Sequence, residues 1–589
     1  MPGTISVQNA QGAPTISPDA DFGICLIGRC SSSPVSAGQV TPPYSNPAAA
    51  VTDLGLGDTV DAGCQAITVR PTNPAPRGVS FYVTPATTPG VRGTLTTSGV
   101  VGSSVVTATS STHPTGTYQI VAVVVTGCTI GVTGGVVKFS LDGGRTYLPA
   151  VTLGTATTKK VQVSVNGVLT DTGVQYDFAA GTLIAGDTWS ESKTTPPIWA
   201  DADLYTAGPP AAGAFAAIAQ SSNSYGLLAI TEPVAVGDFS TLVAGLNYLA
   251  TFNKRPTLII RFRDPGLVAG ATTVAAGSDA AVLPQATINV ASTASFTTSG
   301  VITIGSDTIT YTGKTSTTFT GCSGGSGTLA TSEAVTQSVE TDAQYVTAFQ
   351  VFRDACQDAR VACVAGNGWL TDAFRGFRYY RSGLPALLAR LQWAAVNPGS
   401  YGERLAKSPA YGGDGPLPDF TLLDDNGNPI SLAHDEFVRG GIDGPGAGGN
   451  GGGITFCYQR AVGVAGTYIS EAPCLYPAGS TVLTLMDARV SSGIQRELYA
   501  VAWTMIQSTA VVNGGVLDPD LAVAMAARMR EAILAKFSKE IANPNDPNLV
   551  VVNPSVTVSG PSVTISVSVN DRLFDYVNAI NITLYNTRS

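Results

Sequence analysis

Two histidines, nine cysteines and a few acid pairs are the residues of this 589-residue chain that could do chemistry. Nucleophilic catalysis needs a nucleophile, a base and a group that orients the base. His113 precedes Pro114 in a polar loop, and His434 heads the cluster His434-Asp435-Glu436. No second histidine follows that cluster at helical spacing, so it reads as a solvated turn rather than a metal site. The cysteines, at 25, 30, 64, 128, 322, 356, 363, 457 and 474, form no CxxC pair and are odd in number, which speaks against a zinc cluster. Cys356 falls on an expected helix over 343–362, which a strand over 361–365 follows, and Cys363, seven residues on at its end, reads with it as a pair of small buried hydrophobes near one face. Cys25, Cys30, Cys457 and Cys474 lie in loop-like or strand-edge sequence, positions open to disulfides between subunits in oxidising surroundings.

The remaining motifs fail on spacing or context. Gly313-Lys314-Thr315 imitates the end of a phosphate loop, but Thr308 stands where the first glycine is needed. Gly55-Leu56-Gly57 lacks the third glycine of a dinucleotide fingerprint, and Asp424-Asp425-Asn426-Gly427-Asn428-Pro429 has proline where a calcium loop needs glycine. Asn581-Ile582-Thr583 is a glycosylation sequon by letter, set in a strand-like tail. Adjacent carboxylates such as Asp424/Asp425 and Asp435/Glu436 say nothing about separation across a cleft. No catalytic, cofactor-binding or metal-binding residue is assigned, no cofactor is expected, and the chain reads as a non-enzyme.

Composition points instead to assembly. Charged residues make up 12%, about half the share usual in soluble domains, with 44% hydrophobic residues and 66 glycines, so much of the surface is expected to meet protein. The net charge of −9 argues against nucleic acid as the main ligand. No apolar run of about 18 residues and no basic-then-apolar leader is present, so neither membrane insertion nor Sec export is expected.

Along the chain, α/β text alternates with β text. Residues 1–24 read as an extended N-terminal arm and 25–94 as the first part of a core. Residues 95–200 form an inserted β domain rich in Ser, Thr, Val and Gly, with Lys138–Tyr147 expected as strand, Asp-Gly-Gly turn, strand. Helix and strand alternate again over 201–268, with strands at 226–231 and 256–263 around a helix at 239–254. A second, smaller β domain occupies 269–338, the core resumes over 339–409, and 410–453 is glycine-dense loop. The C-terminal domain, 454–575, contains a helix over 487–512 ended by Gly514-Gly515. A second helix over 518–540 opens with Asp518-Pro519 and carries Met525, Met529, Ile533 and Phe537 in one stripe. Val550–Ser559 and Ser562–Asn570 read as a hairpin around Gly560-Pro561. The arm at 576–589 alternates, with Ile580, Ile582 and Leu584 on one face and Asn581, Thr583 and Tyr585 on the other. Such a lone strand has backbone groups that need a partner edge.

This order of elements resembles contractile tail sheath proteins. The residues that carry the likeness are Asp201–Asp264, ending Arg261-Phe262-Arg263-Asp264; Tyr468–Leu485; the helix beginning Asp487-Ala488-Arg489-Val490 with Arg489 and Arg496; the 518–540 helix; and the strand tail. The resemblance covers residues 1–95, 200–268, 340–410 and 455–589 and treats the β insertions as outer decoration. It implies a discontinuous α/β core with two inserted all-β domains, and N- and C-terminal arms that exchange strands between subunits. The implied function is a subunit of a helical sleeve of stacked rings, which contracts to drive an inner tail tube through a cell envelope, as in genome ejection. The implied partners are further copies of the chain, the inner tube protein, and baseplate and tail terminator proteins, in a virion tail or contractile injection particle assembled in the host cytoplasm. The implied intersubunit strand carries Val577, Ile580, Ile582, Leu584 and Tyr585, and the implied inner-tube contact is made by Arg528, Arg530, Lys536 and Lys539. Two other classes remain open: a virion surface or adhesion protein with β decoration, and a polysaccharide-degrading tail enzyme.

Overall fold

The computed structural model describes residues 23–30, 39–68, 78–194, 213–263, 270–338 and 342–391 apart from short gaps, and parts of 454–531. It also describes the strands at 4–5, 420–421, 550–559, 562–571 and 580–587. The architecture is mixed α/β with strands in several sheets. After a two-residue strand β1 (Thr4–Ile5), a seven-stranded sheet organises the core. It comprises β2 (Ile24–Cys30), β3 (Val79–Pro85), β4 (Leu227–Pro233), β5 (Thr257–Arg261), β6 (Asp358–Val364), β7 (Ile454–Thr455) and β8 (Cys474–Leu475). Their order is β3-β2-β4-β5-β6-β7, all parallel, with β8 antiparallel against β6. Runs such as Leu227–Ile230 and Leu258–Ile260 are apolar without alternation, as a parallel sheet covered on both faces demands.

The helices that cover that sheet include α1 (Pro47–Leu54), α2 (Asp58–Thr68), α3 (Ala214–Gln220), α4 (Val236–Thr251) and α5 (Asp342–Ala355). Successive strand residues face opposite layers. Leu26, Ala229, Ile259 and Ala362 pack in the cluster that holds α1 and α2, whereas Ile27, Leu228, Ile260 and Cys363 pack in the one that holds α3, α4 and α5. Gly28 permits the close approach of α2: a Cβ there would sit 1.9 Å from the Thr59 hydroxyl, which bonds the Thr231 hydroxyl at 2.8 Å.

Between β3 and α3, strands from Leu95 to Glu191 build three-stranded and five-stranded sheets around Phe139, Tyr176, Phe178 and Trp189. Between β5 and α5, strands from Gly270 to Gln337 enclose a separate core that includes Ile302, Ile309, Phe319 and Val335. The first segment's buried cluster is continuous with the α1/α2 side of the central sheet.

Three local expectations change. The helix expected over 343–362 stops at Ala355, and the strand expected over 361–365 begins earlier, at Asp358, as β6, because its apolar run fills the slot between β5 and β7. Strand does not resume at Arg145–Tyr147. Buried Asp142 accepts from the Ser140 hydroxyl (2.7 Å) and from the Thr146 N–H and hydroxyl (both 2.8 Å), tying the chain back after Gly143 and Gly144, and the next strand is Val151–Thr152. Val512, expected to end a helix, is in a short strand, Val512–Asn513, paired with Val516–Leu517 across Gly514-Gly515. The described residues of 485–499 are helical.

Candidate functional site

Several of the described groups with chemical potential are held by neighbouring backbone or by burial. Among the described residues no three His, Cys, Asp or Glu side chains come together to hold a metal ion. His113 Nδ1 lies 3.0 Å from the Gly90 carbonyl. The eight described cysteines are buried. Burial pushes the Cys356 thiol up to about 12 and those of Cys25 and Cys363 well above their ordinary range. Cys25, Cys30 and Cys474, expected at strand edges open to intersubunit disulfides, are thus core residues, shut away by the layers on the central sheet. Cys356 follows the end of α5 and Cys363 lies in β6, so they share a buried cluster but not a helix face. Lys314 of the phosphate-loop mimic donates to the carbonyls of Thr293 (2.7 Å) and Phe296 (2.6 Å), and burial lowers its pKa to about 8. His434, Asp424, Asp425, Asp435, Glu436 and the Cys457 side chain lie outside the described residues. No described helix is long and apolar enough to cross a membrane.

The arrangement most open to a partner is a four-stranded sheet in which both ends of the chain meet. Strands β9 (Val550–Ser559), β10 (Ser562–Asp571) and β11 (Ile580–Thr587) follow the order β1-β11-β10-β9. Ten residue pairs join β9 to β10 and eight join β10 to β11, all antiparallel, while β1 runs parallel to β11 through Thr4↔Tyr585 and Ile5↔Asn586. Within one chain, then, the tail strand lies on its own hairpin. The register puts Val552, Val569 and Ile580 in one row, then Pro554, Val567 and Ile582, then Val556, Ile565 and Leu584. The intervening rows hold Asn553, Ser568 and Asn581, and Ser555, Ser566 and Thr583. A slip of one residue would interleave the two sets, so the alternating pattern fixes the register.

Two edges of this sheet stay open among the described residues. β9 has a neighbour only on its β10 side, and β1 covers only Tyr585 and Asn586 of β11. Pro554 cannot donate, so it fits a position whose missing N–H faces away from β10. The outward row of β9 is therefore interrupted at its middle, which limits indiscriminate pairing.

Two solved sheath tail proteins are similar to this chain. That of Desulfitobacterium hafniense aligns with 98% of this chain and 98% of its own at 10% identity and a TM-score of 0.38. That of Listeria innocua aligns with 95% of this chain and 94% of its own at 11% identity and a TM-score of 0.36. No family profile matches the sequence, and no curated protein matches it.

Of the residues expected at an inner-tube contact, Arg528 and Arg530 are exposed on a helical stretch, and Lys536 and Lys539 lie outside the described residues. Of the expected intersubunit strand, Ile580, Ile582, Leu584 and Tyr585 are in β11, and Val577 lies outside the described residues. Sequence reasoning missed Thr4–Ile5 as a strand. The signal present was the alternation Thr4-Ile5-Ser6-Val7 in an otherwise proline-marked arm.

Proposed function

We propose that the chain is a structural subunit of a contractile tail sheath, which polymerises around an inner tube and contracts to drive that tube through a cell envelope. The observation that carries this reading is the sheet at the chain ends. β1 and β11 are joined to it by backbone ladders, with a register written by simple alternation, and nothing in such a ladder distinguishes a chain's own hairpin from that of a second copy. Eight residues, 572–579, separate β10 from β11. Fully extended they span roughly 28 Å at ~3.5 Å per residue, far enough to reach an adjoining subunit. Exchange of identical strands costs little in ladder energy, because the backbone bonds broken in one copy are remade in the next. An arm linking subunits in this way would keep the polymer connected while subunit faces rearrange, so contraction would need no cofactor, only the replacement of one subunit interface by a larger one. In this reading the particle is a virion tail or related injection device, and the partners are the inner tube, the baseplate and the tail terminator.

The test is negative-stain electron microscopy of the purified protein, alone and with tube protein. Sleeves with a regular axial repeat are expected. Monodisperse single chains at every concentration, salt and tube ratio would remove the reading.

A further inference from the structure

A recess of about 310 Å³ lies between α4, the amino ends of β5 and β6, and the helical stretch from Ala488 to Gln495. Its described lining holds two guanidiniums, those of Arg255 and Arg360, the hydroxyl residues Ser491 and Ser492, and no carboxylate. Both arginines are held in place. Arg255 Nη1 donates to Gln495 Oε1 at 2.9 Å. Arg360 grips Asp358 through Nε (2.9 Å) and Nη2 (2.6 Å) and reaches Asn247 Oδ1 at 3.0 Å. Burial, together with the like charge of Arg360, holds the Arg255 pKa below its ordinary value, while Tyr499 acts in the opposite direction. Leu246, Ala250, Val482 and Ala488 supply an apolar wall. The Arg360 side chain is 33% exposed, so the recess opens to the surface.

We propose that this recess is a carboxylate pocket, filled in the assembly by an acidic side chain of a second copy of the chain. A carboxylate would accept from Arg255 and the serine hydroxyls together, as charge-assisted bonds that are stronger than neutral ones. Its charge would lie beside Arg255, Arg360 being already paired with Asp358, and its methylene stem would lie on the apolar wall. The choice of a second copy rests on the sheath reading and on charge: the chain carries 41 Asp and Glu against 32 Lys and Arg, so each further copy is a net anion that complements a cationic recess.

The experiment uses the full chain, with sodium glutarate as probe and sodium chloride at matched ionic strength as control. Two readouts are taken: the melting temperature of unassembled protein, and the concentration needed for polymerisation. Glutarate is expected to raise the melting temperature saturably in the wild type and not in Arg255→Gln, which removes the guanidinium. It is also expected to raise the polymerisation threshold of the wild type at least tenfold over chloride, a rise that Arg255→Gln reproduces without glutarate. If Arg255→Gln does not fold, the double variant Ser491→Ala, Ser492→Ala replaces it, with a weakened glutarate response expected. Absence of saturable protection in the wild type overturns the pocket. Protection with a threshold indifferent to glutarate overturns the second copy as occupant and leaves a small-anion site. Failure of the wild type to polymerise at all defeats the sheath reading and the occupant together, while the melting series still decides the recess.

Discussion

At the scale of single residues, the most consequential group is Glu191, whose carboxylate is fully buried. It accepts from Arg92 Nε (2.7 Å) and Nη2 (2.6 Å), from the Gly93 N–H (2.9 Å) and from the Tyr176 hydroxyl (2.8 Å), and the Arg92 guanidinium lies 5.0 Å from the centre of the Tyr176 ring. Arg92 and Glu191 stand at the two ends of the first β segment, so the pair clasps it shut. Breaking one side of a buried ion pair costs about 3–5 kcal/mol, so Glu191→Ala should lower the urea midpoint strongly. Replacing both partners with apolar residues should recover most of that loss, and a double variant no better than the single one would contradict this account. Titrating groups give a second prediction. Lys254 and Lys314 have folded pKa values lowered to about 8 from 10.5 by burial, so between those values the unfolded chain holds protons that the fold does not, and stability rises with pH. The buried thiols act with the opposite sign. Cys322 and Cys356 are raised from 9.0 to about 11 and about 12, so the stability they confer is full below pH 9 and is lost as pH rises towards 12, with Cys25 and Cys363 adding to the loss. Denaturant midpoints should therefore peak near pH 9. A steady fall from about pH 7.5 would contradict the lysine contribution, and Cys356→Ala should make the alkaline decline shallower.

At the scale of elements, the terminal strand and the second β segment are the parts whose removal is most informative. Deleting Tyr576–Ser589 takes away β11 and its eight pairs with β10, yet touches neither of the two clusters that flank the central sheet. The truncated protein should keep its far-ultraviolet dichroism and elute as a monomer without forming polymers. Persistent sleeves would rule out strand exchange, and an insoluble product would mean that the strand serves its own chain's sheet. The second β segment has a buried cluster drawn only from residues 274–335. Replacing Ala271–Ser338 with a short Gly/Ser linker should leave polymerisation intact, since surface connections tolerate such changes when no shared core is cut. The corresponding replacement of 95–191 should be far more damaging, because that segment's buried cluster is continuous with the α1/α2 layer. Equal tolerance of both replacements, read by solubility and cooperative melting, would contradict this distinction.

At the scale of the whole molecule, the low charge content and, among the described residues, the open edges of the terminal sheet are what the proposed sleeve would use to join its copies. If the exposed Arg528 and Arg530 meet an acidic tube, each ion pair is worth only about 0–1 kcal/mol, and single changes should be nearly silent. Repetition over many subunits multiplies the effect. Reversing both to glutamate should reduce the fraction of extended, tube-templated sleeves in micrographs while leaving tube-free polymers unaffected. An unchanged extended fraction would move the contact to another segment; of the next candidates by sequence, Arg489 is buried in the chain and Arg496 lies outside the described residues.

The sequence by itself determined conformations set by local pattern. The apolar runs at Leu227–Ile230 and Leu258–Ile260 are strands, and the alternation Ile580, Ile582, Leu584 both makes a strand and fixes its register against Val569, Val567 and Ile565. Those signals have a period of two and need only a few neighbours to be read. Tertiary structure alone decided where each pattern stops and what it meets. The helical text before Cys356 runs into strand text, and only the vacant slot between β5 and β7 ends the helix at Ala355. Cys25 and Cys474 look like strand-edge thiols until the layers close over them. Arg255 and Gln495 are 240 residues apart, and no local period links them. Pairings of that kind follow from the total burial and charge balance of the folded chain, which nearby letters do not encode.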